Sequence, residues 1–196
     1  MSKWFGPKSK DIFESFAEEM GFVFNPGSTF KPFTVEAKIK NWIVLLDIYT
    51  VHANNATIQY TRFRTKFNID NDLKFNFDAN GFFNRLFYGK VRILTNDENF
   101  DRVFFVRGSN PLLTSRLFES EVIRNKLLQE PKLTLELKHH KPVFGQRDPE
   151  NVRSLTMQTL GVVKDKARLR EMLLIMAALL HQLQAIGVAR PETVEI

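Results

Sequence analysis

Ten of the nineteen phenylalanines fall between positions 63 and 105: Phe63, Phe67, Phe75, Phe77, Phe82, Phe83, Phe87, Phe100, Phe104 and Phe105. A buried aromatic ring removes about 150–250 Å² from water. A chain with this many rings in one stretch must therefore either pack them on each other or hold a ligand among them. Packing is the favoured reading for most of the set. The alternative is an aromatic groove or Phe-lined cavity for a lipid-like molecule, a peptide or bases. Phe82, Phe83 and Phe87 stand apart, on a short helical piece that follows the turn Asp78-Ala79-Asn80-Gly81. Exposed together, they would form an apolar contact patch.

Around these rings the residue pattern predicts blocks of strand and helix. Ile12, Phe13, Phe16, Ala17 and Met20 recur at helical spacing, which predicts an opening helix over 9–20 stopped by Gly21. Asn25-Pro26-Gly27-Ser28 then breaks regular structure. Runs rich in β-branched and aromatic residues predict strands over 33–40, 42–52 and 57–68, with Asn54-Asn55 as the turn of a hairpin. The third run changes phase between Tyr60 and Phe63, which predicts a bulge near Thr61-Arg62. Shorter strands are expected at 73–77, 90–94, 102–106, 132–138, 143–146 and 153–160. Asn110-Pro111 opens a central helix reaching about Gln129, and Asp165 caps a last helix ending at Gly187. Blocks of strands rather than strict alternation with helices favour an α+β fold. The expectation is a mainly antiparallel sheet packed by an N-terminal helix, a central helix and a long C-terminal helix, in a single domain over 1–196.

Composition removes several function classes. The chain has no cysteine, so disulfides, thiolate zinc sites, iron–sulfur clusters and thiol nucleophiles are absent. The formal net charge of +6 is spread along the sequence without a basic tail, which reads as a solvated surface before it reads as a nucleic-acid footprint. No apolar h-region follows Met1, so no secretory leader is expected. The apolar run Met172–Leu180 extends towards Ala189 but is interrupted there by His181, Gln182 and Gln184, and reads as a buried helix rather than a membrane span. A cytoplasmic location is the matching expectation.

Three groups of polar residues merit attention. Arg62, Arg64 and Lys66 alternate and so share one strand face, with Phe63 and Phe67 opposite. Such a face could bind nucleic acid or another anionic ligand, although the aromatics point away from the cations. On the helix after Pro111, Arg116 and Arg124 fall within the apolar arc, where an unpaired charge is costly. A structural ion pair with Asp101 or Asp97 is preferred there over an anion clamp. His52, His139, His140 and His181 lack metal-ligand spacing, and His181 is expected to fill core space. Asp70-Asn71-Asp72 and Asp78-x-Asn80 read as turns rather than calcium loops. No nucleophile elbow, phosphate-binding loop or dinucleotide fingerprint is present. No metal, no cofactor and no enzymatic activity are expected.

The stretch Thr95 to Gly108 is the most patterned of the chain. Thr95 and Glu98 match a capping box, Phe100 points into the core, and Val103–Val106 reads as a buried strand before the Gly108 turn. This acidic turn, with Phe-Asp, two residues, Phe, a strand and Gly before a helix, resembles a motif of uncharacterised bacterial proteins. The resemblance extends to Thr61–Phe67 and to Gly161-Val162-Val163-Lys164-Asp165. Asn96 stands where Gly is usual in that pattern. The resemblance implies one compact domain of bacterial origin and supplies no site. The leading functional expectation is a non-enzymatic binding or interaction module with a protein partner. Nucleic-acid or anionic-ligand binding through the basic strand is the alternative, and a lipid-like ligand among the Phe rings is the second alternative.

Overall fold

The computed structural model describes residues 8–29, 31–53, 56–79, 92–139 and 148–190. Phe82, Phe83, Phe87, His140, the Asn54-Asn55 turn and the strand expected at 143–146 lie outside the described residues.

The chain opens with helix α1 (Ser9–Met20), whose Ile12, Phe13, Phe16 and Ala17 form the buried stripe. Gly21 ends it in the left-handed region at φ 68°, where its N–H returns to the carbonyls of Ala17 and Glu18. Three strands of increasing length follow a short β1 (Val23–Asn25): β2 (Thr34–Ile39), β3 (Trp42–Ala53) and β4 (Ala56–Ile69). Then come β5 (Phe75–Ala79), β6 (Arg92–Ile93), α2 (Glu98–Val103) and β7 (Phe104–Gly108). The remainder is α3 (Pro111–Leu117), α4 (Glu121–Leu128), β8 (Leu133–Lys138), β9 (Val152–Leu160), α5 (Lys166–Ala185) and β10 (Ala189–Arg190). The fold is α+β, with N-terminal, central and C-terminal helices. The strands form one sheet in the order β1-β2-β3-β4-β9-β8-β5-β7-β6, with β10 beside the end of β4. Every strand pairing in it is antiparallel.

Several expectations are corrected. The central helix is two helices: Phe118 leaves the helical path and drops fully buried into the core, and α4 restarts after Ser120. Arg124 closes the break by donating to the carbonyls of Phe118 and Glu119 at 2.7 and 2.8 Å. No bulge interrupts the β3–β4 pairing near Thr61, whose register runs through it without a skip, while the β4–β9 ladder begins at Thr61 itself. The phase change instead marks where β4 moves from an edge carrying Ile58 and Tyr60 to a segment whose odd positions face the helices. The capping residue of α2 is Asp97, which accepts from the Phe100 N–H at 3.0 Å. Thr95 instead donates through its hydroxyl to Asp101 at 2.9 Å. Residues 101–103 complete α2, so the following strand starts only at Phe104. Asn96 adopts φ 62°; Asn tolerates this left-handed conformation better than most residues, so the turn survives without Gly. His181 is exposed rather than a core filler.

One face of the sheet is apolar. Leu46, Phe63, Phe67, Leu155, Met157, Leu135, Phe77, Phe104 and Val106 on the strands share a buried cluster with α1 and with Leu169, Met172, Met176, Leu179 and Leu183 of α5. At its centre Phe77 stacks on Phe104 at 4.4 Å and on Phe118 at 5.5 Å, with Phe100 at 5.7 Å. All four rings are fully buried. The connection from β9 to α5 is fastened to this sheet through Thr61. Its hydroxyl donates to the Gly161 carbonyl at 2.9 Å and accepts from the Val163 N–H at 2.8 Å.

Candidate binding face

The alternation that buries the odd residues of β4 turns its even residues to the opposite face, against which no described helix packs. Register carries this face across the sheet. Asp47 lies opposite Arg62, Arg62 opposite Gln158, Gln158 opposite Thr134, and Glu136 opposite Asn76. Polar side chains thus run in a continuous band from β3 to β5.

Asp47 anchors one end of the band. It directly follows the apolar run Trp42-Ile43-Val44-Leu45-Leu46, and its side chain is 1% exposed. Arg62 grips it with two prongs, Nε to Oδ1 and Nη2 to Oδ2, both at 2.8 Å. This planar geometry gives a bidentate pair its strength and direction. Arg64 Nε approaches the same carboxylate at 3.2 Å. Burial pulls the Arg64 guanidinium below its ordinary pKa; the Asp47 carboxylate opposes that and the neighbouring Arg62 adds to it. The Arg62 guanidinium also lies 4.4 Å over the ring of Tyr49, which is itself 6.5 Å from Tyr60. Lys66 pairs with Asp148 at 2.9 Å.

Beside this anchor the band is indented. A recess of about 210 Å³ is lined by Tyr60, Asn76, Asp78, Thr134, Leu135, Glu136 and Gln158. It adjoins a smaller one of about 110 Å³, where Asn76 and Glu136 recur together with Lys74, Arg107 and Lys138. Glu136 pairs with Lys138 at 2.6 Å. On the neighbouring edge strand Arg92 rests 4.2 Å over the Phe105 ring. A wider cleft of about 680 Å³ lies elsewhere, between the β2–β3 turn and the end of α5, lined by Lys40, Asn41, Trp42, His181, Gln184 and Ala185. It is open to solvent.

The structure brings Arg62 and Arg64 together on Asp47 and places Lys66 farther along the same face. Each therefore already faces a carboxylate. Arg124 pairs with Asp97 at 2.8 Å, while Arg116 is exposed and Asp101 receives both the N–H and the hydroxyl of Thr95. Those three residues form no common site. Among the described residues no group of three or more His, Asp or Glu side chains could hold a metal ion. No described helix is long and apolar enough to cross a membrane. Sequence reasoning missed Asp47 and the recess. A lone carboxylate directly after the apolar run Trp42-Ile43-Val44-Leu45-Leu46 was a readable signal for the first. The second is assembled from strands 16 to 98 positions apart, counted from Tyr60 to Asn76 and to Gln158, and no local pattern marks it.

No protein-family model matches this sequence, and no curated protein matches it. Among solved structures, the chain is similar in fold to one described as the mycobacterial trehalose monomycolate transport factor A, TtfA. The TM-score is 0.58 at 10% sequence identity, covering 93% of this chain and 98% of that one. At this identity the similarity is one of fold.

Proposed function

We propose that this chain is a non-enzymatic binding module that receives the polar end of a lipid-like ligand on the sheet face against which no described helix packs. The observation carrying this reading is the indented polar band beside the Asp47–Arg62 clasp. It is a concave, mixed-polarity surface on a rigid element, as small-molecule sites commonly are. The fold neighbour supports the lipid-like character, since that protein is described as a transport factor for trehalose monomycolate. The Phe rings around Phe77 pack on one another, which favours the sheet surface over the ring cluster as the ligand's seat. The carboxylates facing Arg62, Arg64 and Lys66 weaken the nucleic-acid reading, because phosphate binding draws on free cations.

The test is amide chemical-shift mapping of the full chain with dodecylphosphocholine and with dodecyl maltoside, both below their micellar concentrations. The expected result is a set of shifts concentrated on β4, β9, β8 and β5. Shifts confined to α3, α4 and α5, or none with either surfactant, overturn the proposal.

A further inference from the structure

The wide cleft at the end of α5 carries charge of one sign. We infer that it is a site for an organic anion, a phosphate monoester or carboxylate on a small apolar body, whose charged group sits between Lys40 and His181. The cleft shares no lining residue with the polar band of the sheet, so this site is separate from the face proposed above.

Two segments build its walls, the β2–β3 hairpin and the second half of α5. Positions 37–46 and 172–190 contain no Asp or Glu. Lys40 and Asn41 form the two-residue turn between Ile39 and Trp42, which face each other in the register. His181 and Gln184 stand three residues apart on α5, on one side of the helix. Other recesses differ in charge. A cleft of about 360 Å³ beside α4 is lined by Glu130, Asp165 and Glu171 as well as by basic residues, and both sheet recesses include Glu136. There the basic groups meet carboxylates: Lys126 pairs with Glu171, Arg168 with Glu130 and Lys138 with Glu136. In the α5 cleft the side chains of Lys40, His181 and Gln184 are exposed, and none has a hydrogen bond or ion pair with a described residue. Asn41 is already engaged and adds nothing to this set.

A concavity lined by one sign of charge concentrates the opposite ion. The Lys40 ammonium, a ring N–H of His181 and the Gln184 amide all donate, and an anionic oxygen accepts from each. A cation would meet Lys40 with no carboxylate on either wall to offset it. The carbonyl end of a helix ordinarily repels an anion. Here the carbonyls of Gln182, Leu183 and Gln184 accept from the N–H groups of Ile186, Val188 and Gly187 at 3.0, 2.8 and 3.0 Å, which leaves less negative charge facing the cleft. Lys40 adopts φ 53°, a left-handed conformation that Gly or Asn takes more readily. The hairpin thus holds a charged side chain where its backbone favours another residue, and strain of this kind clusters at ligand sites. Trp42, 4% exposed, closes the floor. The volume of about 680 Å³ lies in the ordinary range of small-molecule sites, about 300–1,000 Å³. A bare ion would leave most of it to water, so the anion carries a body.

The experiment is amide mapping of the full chain at neutral pH with hexyl phosphate, hexanoate, hexanol and hexyltrimethylammonium, which share one alkyl body. Hexyl phosphate, hexanoate or both should shift residues 39–42 and 180–186, and should bind several-fold more weakly in about 0.5 M sodium chloride. The tighter of the two names the anionic group. Lys40→Asn should weaken binding by about tenfold, the loss of one charged donor, with no fall in unfolding temperature because Asn suits this turn. His181→Gln should weaken it several-fold. Lys38→Gln, at an exposed neighbour on β2 that does not line the cleft, should leave it unchanged. Equal weakening by Lys38→Gln and Lys40→Asn makes the attraction diffuse and overturns the inference. Hexanol binding there as tightly as the anions, hexyltrimethylammonium binding there, or no shift there with either anion overturns it as well. None of these outcomes involves β4, β9, β8 or β5, so the sheet-face proposal stands or falls on its own mapping.

Discussion

Arg62 and Asp47 meet across the β3–β4 pair in a two-pronged contact, 2.8 Å on each prong, around a carboxylate that is almost wholly removed from water. Removing the carboxylate would leave Arg62 and Arg64 side by side without their shared partner. Asp47→Ala is therefore expected to destabilise the fold by on the order of 3 kcal/mol, the lower part of the range for breaking a buried pair because both arginines keep some access to water. Urea unfolding measures this. Replacing Asp47, Arg62 and Arg64 together by leucine should recover most of the loss, since an apolar trio leaves no charge stranded.

Phe77 touches three other fully buried rings, so its truncation opens a void that neighbouring strands cannot collapse into. Phe77→Ala should cost about 3–5 kcal/mol. A ligand-lined cavity in place of a packed core would give a much smaller loss, so the same urea titration separates the two pictures.

Thr61 holds the Gly161–Val163 connection with one donated and one accepted hydrogen bond. Thr61→Val keeps the shape but strands the Val163 N–H, a loss of about 1–3 kcal/mol. Hydrogen exchange should quicken at Val163 well before global unfolding does.

Gly108 ends β7 where a Cβ would collide with the Thr114 hydroxyl and stand 3.1 Å from the Lys74 carbonyl. Thr114 is fixed by its own bond to the Asn110 carbonyl at 2.7 Å. Gly108→Ala should therefore destabilise by about 1–3 kcal/mol through overpacking, and the double variant with Thr114→Ser should not relieve it, because the hydroxyl remains.

Asp97 titrates below the ordinary carboxylate range, first because the Phe100 N–H donates to it and then because Arg124 does. A depressed folded pKa adds stability that is fully present above the unfolded value, about 3.9, and is lost as pH falls through the folded value. Asp97→Asn keeps a capping side chain but has no charge to titrate. The stability gap between wild type and this variant should hold at neutral pH and close progressively below about pH 4, as read by thermal unfolding across pH.

Local chemistry made much of the fold legible in the sequence. The β-branched and aromatic runs marked β2, β3, β4, β8 and β9 to within a few residues, and Gly21 and Asp165 marked the helix ends they cap. What escaped depended on contacts distant in sequence. The break at Phe118 exists because its ring completes a cluster with Phe75, Phe77 and Phe100, which no periodicity in 111–129 reveals. Tyr60 shares the parity of Arg62, which was readable; its neighbourhood with Gln158, Thr134 and Asp78 follows from the strand order β4-β9-β8-β5, which was not. The alternation of Arg62, Arg64 and Lys66 was visible, but the carboxylates of Asp47 and Asp148 that meet them were not.

The claim on which the rest depends is that the packed rings give cohesion while the sheet face opposite the described helices meets the ligand. Photocrosslinking the full chain with a diazirine-bearing alkyl maltoside, followed by mass mapping of the adducts, tests it most directly. Adducts on the strand segments around Tyr60, Thr134 and Gln158, reduced by excess dodecyl maltoside without the diazirine, are the predicted result. Adducts centred on Phe100, Phe104 and Phe118 would contradict it.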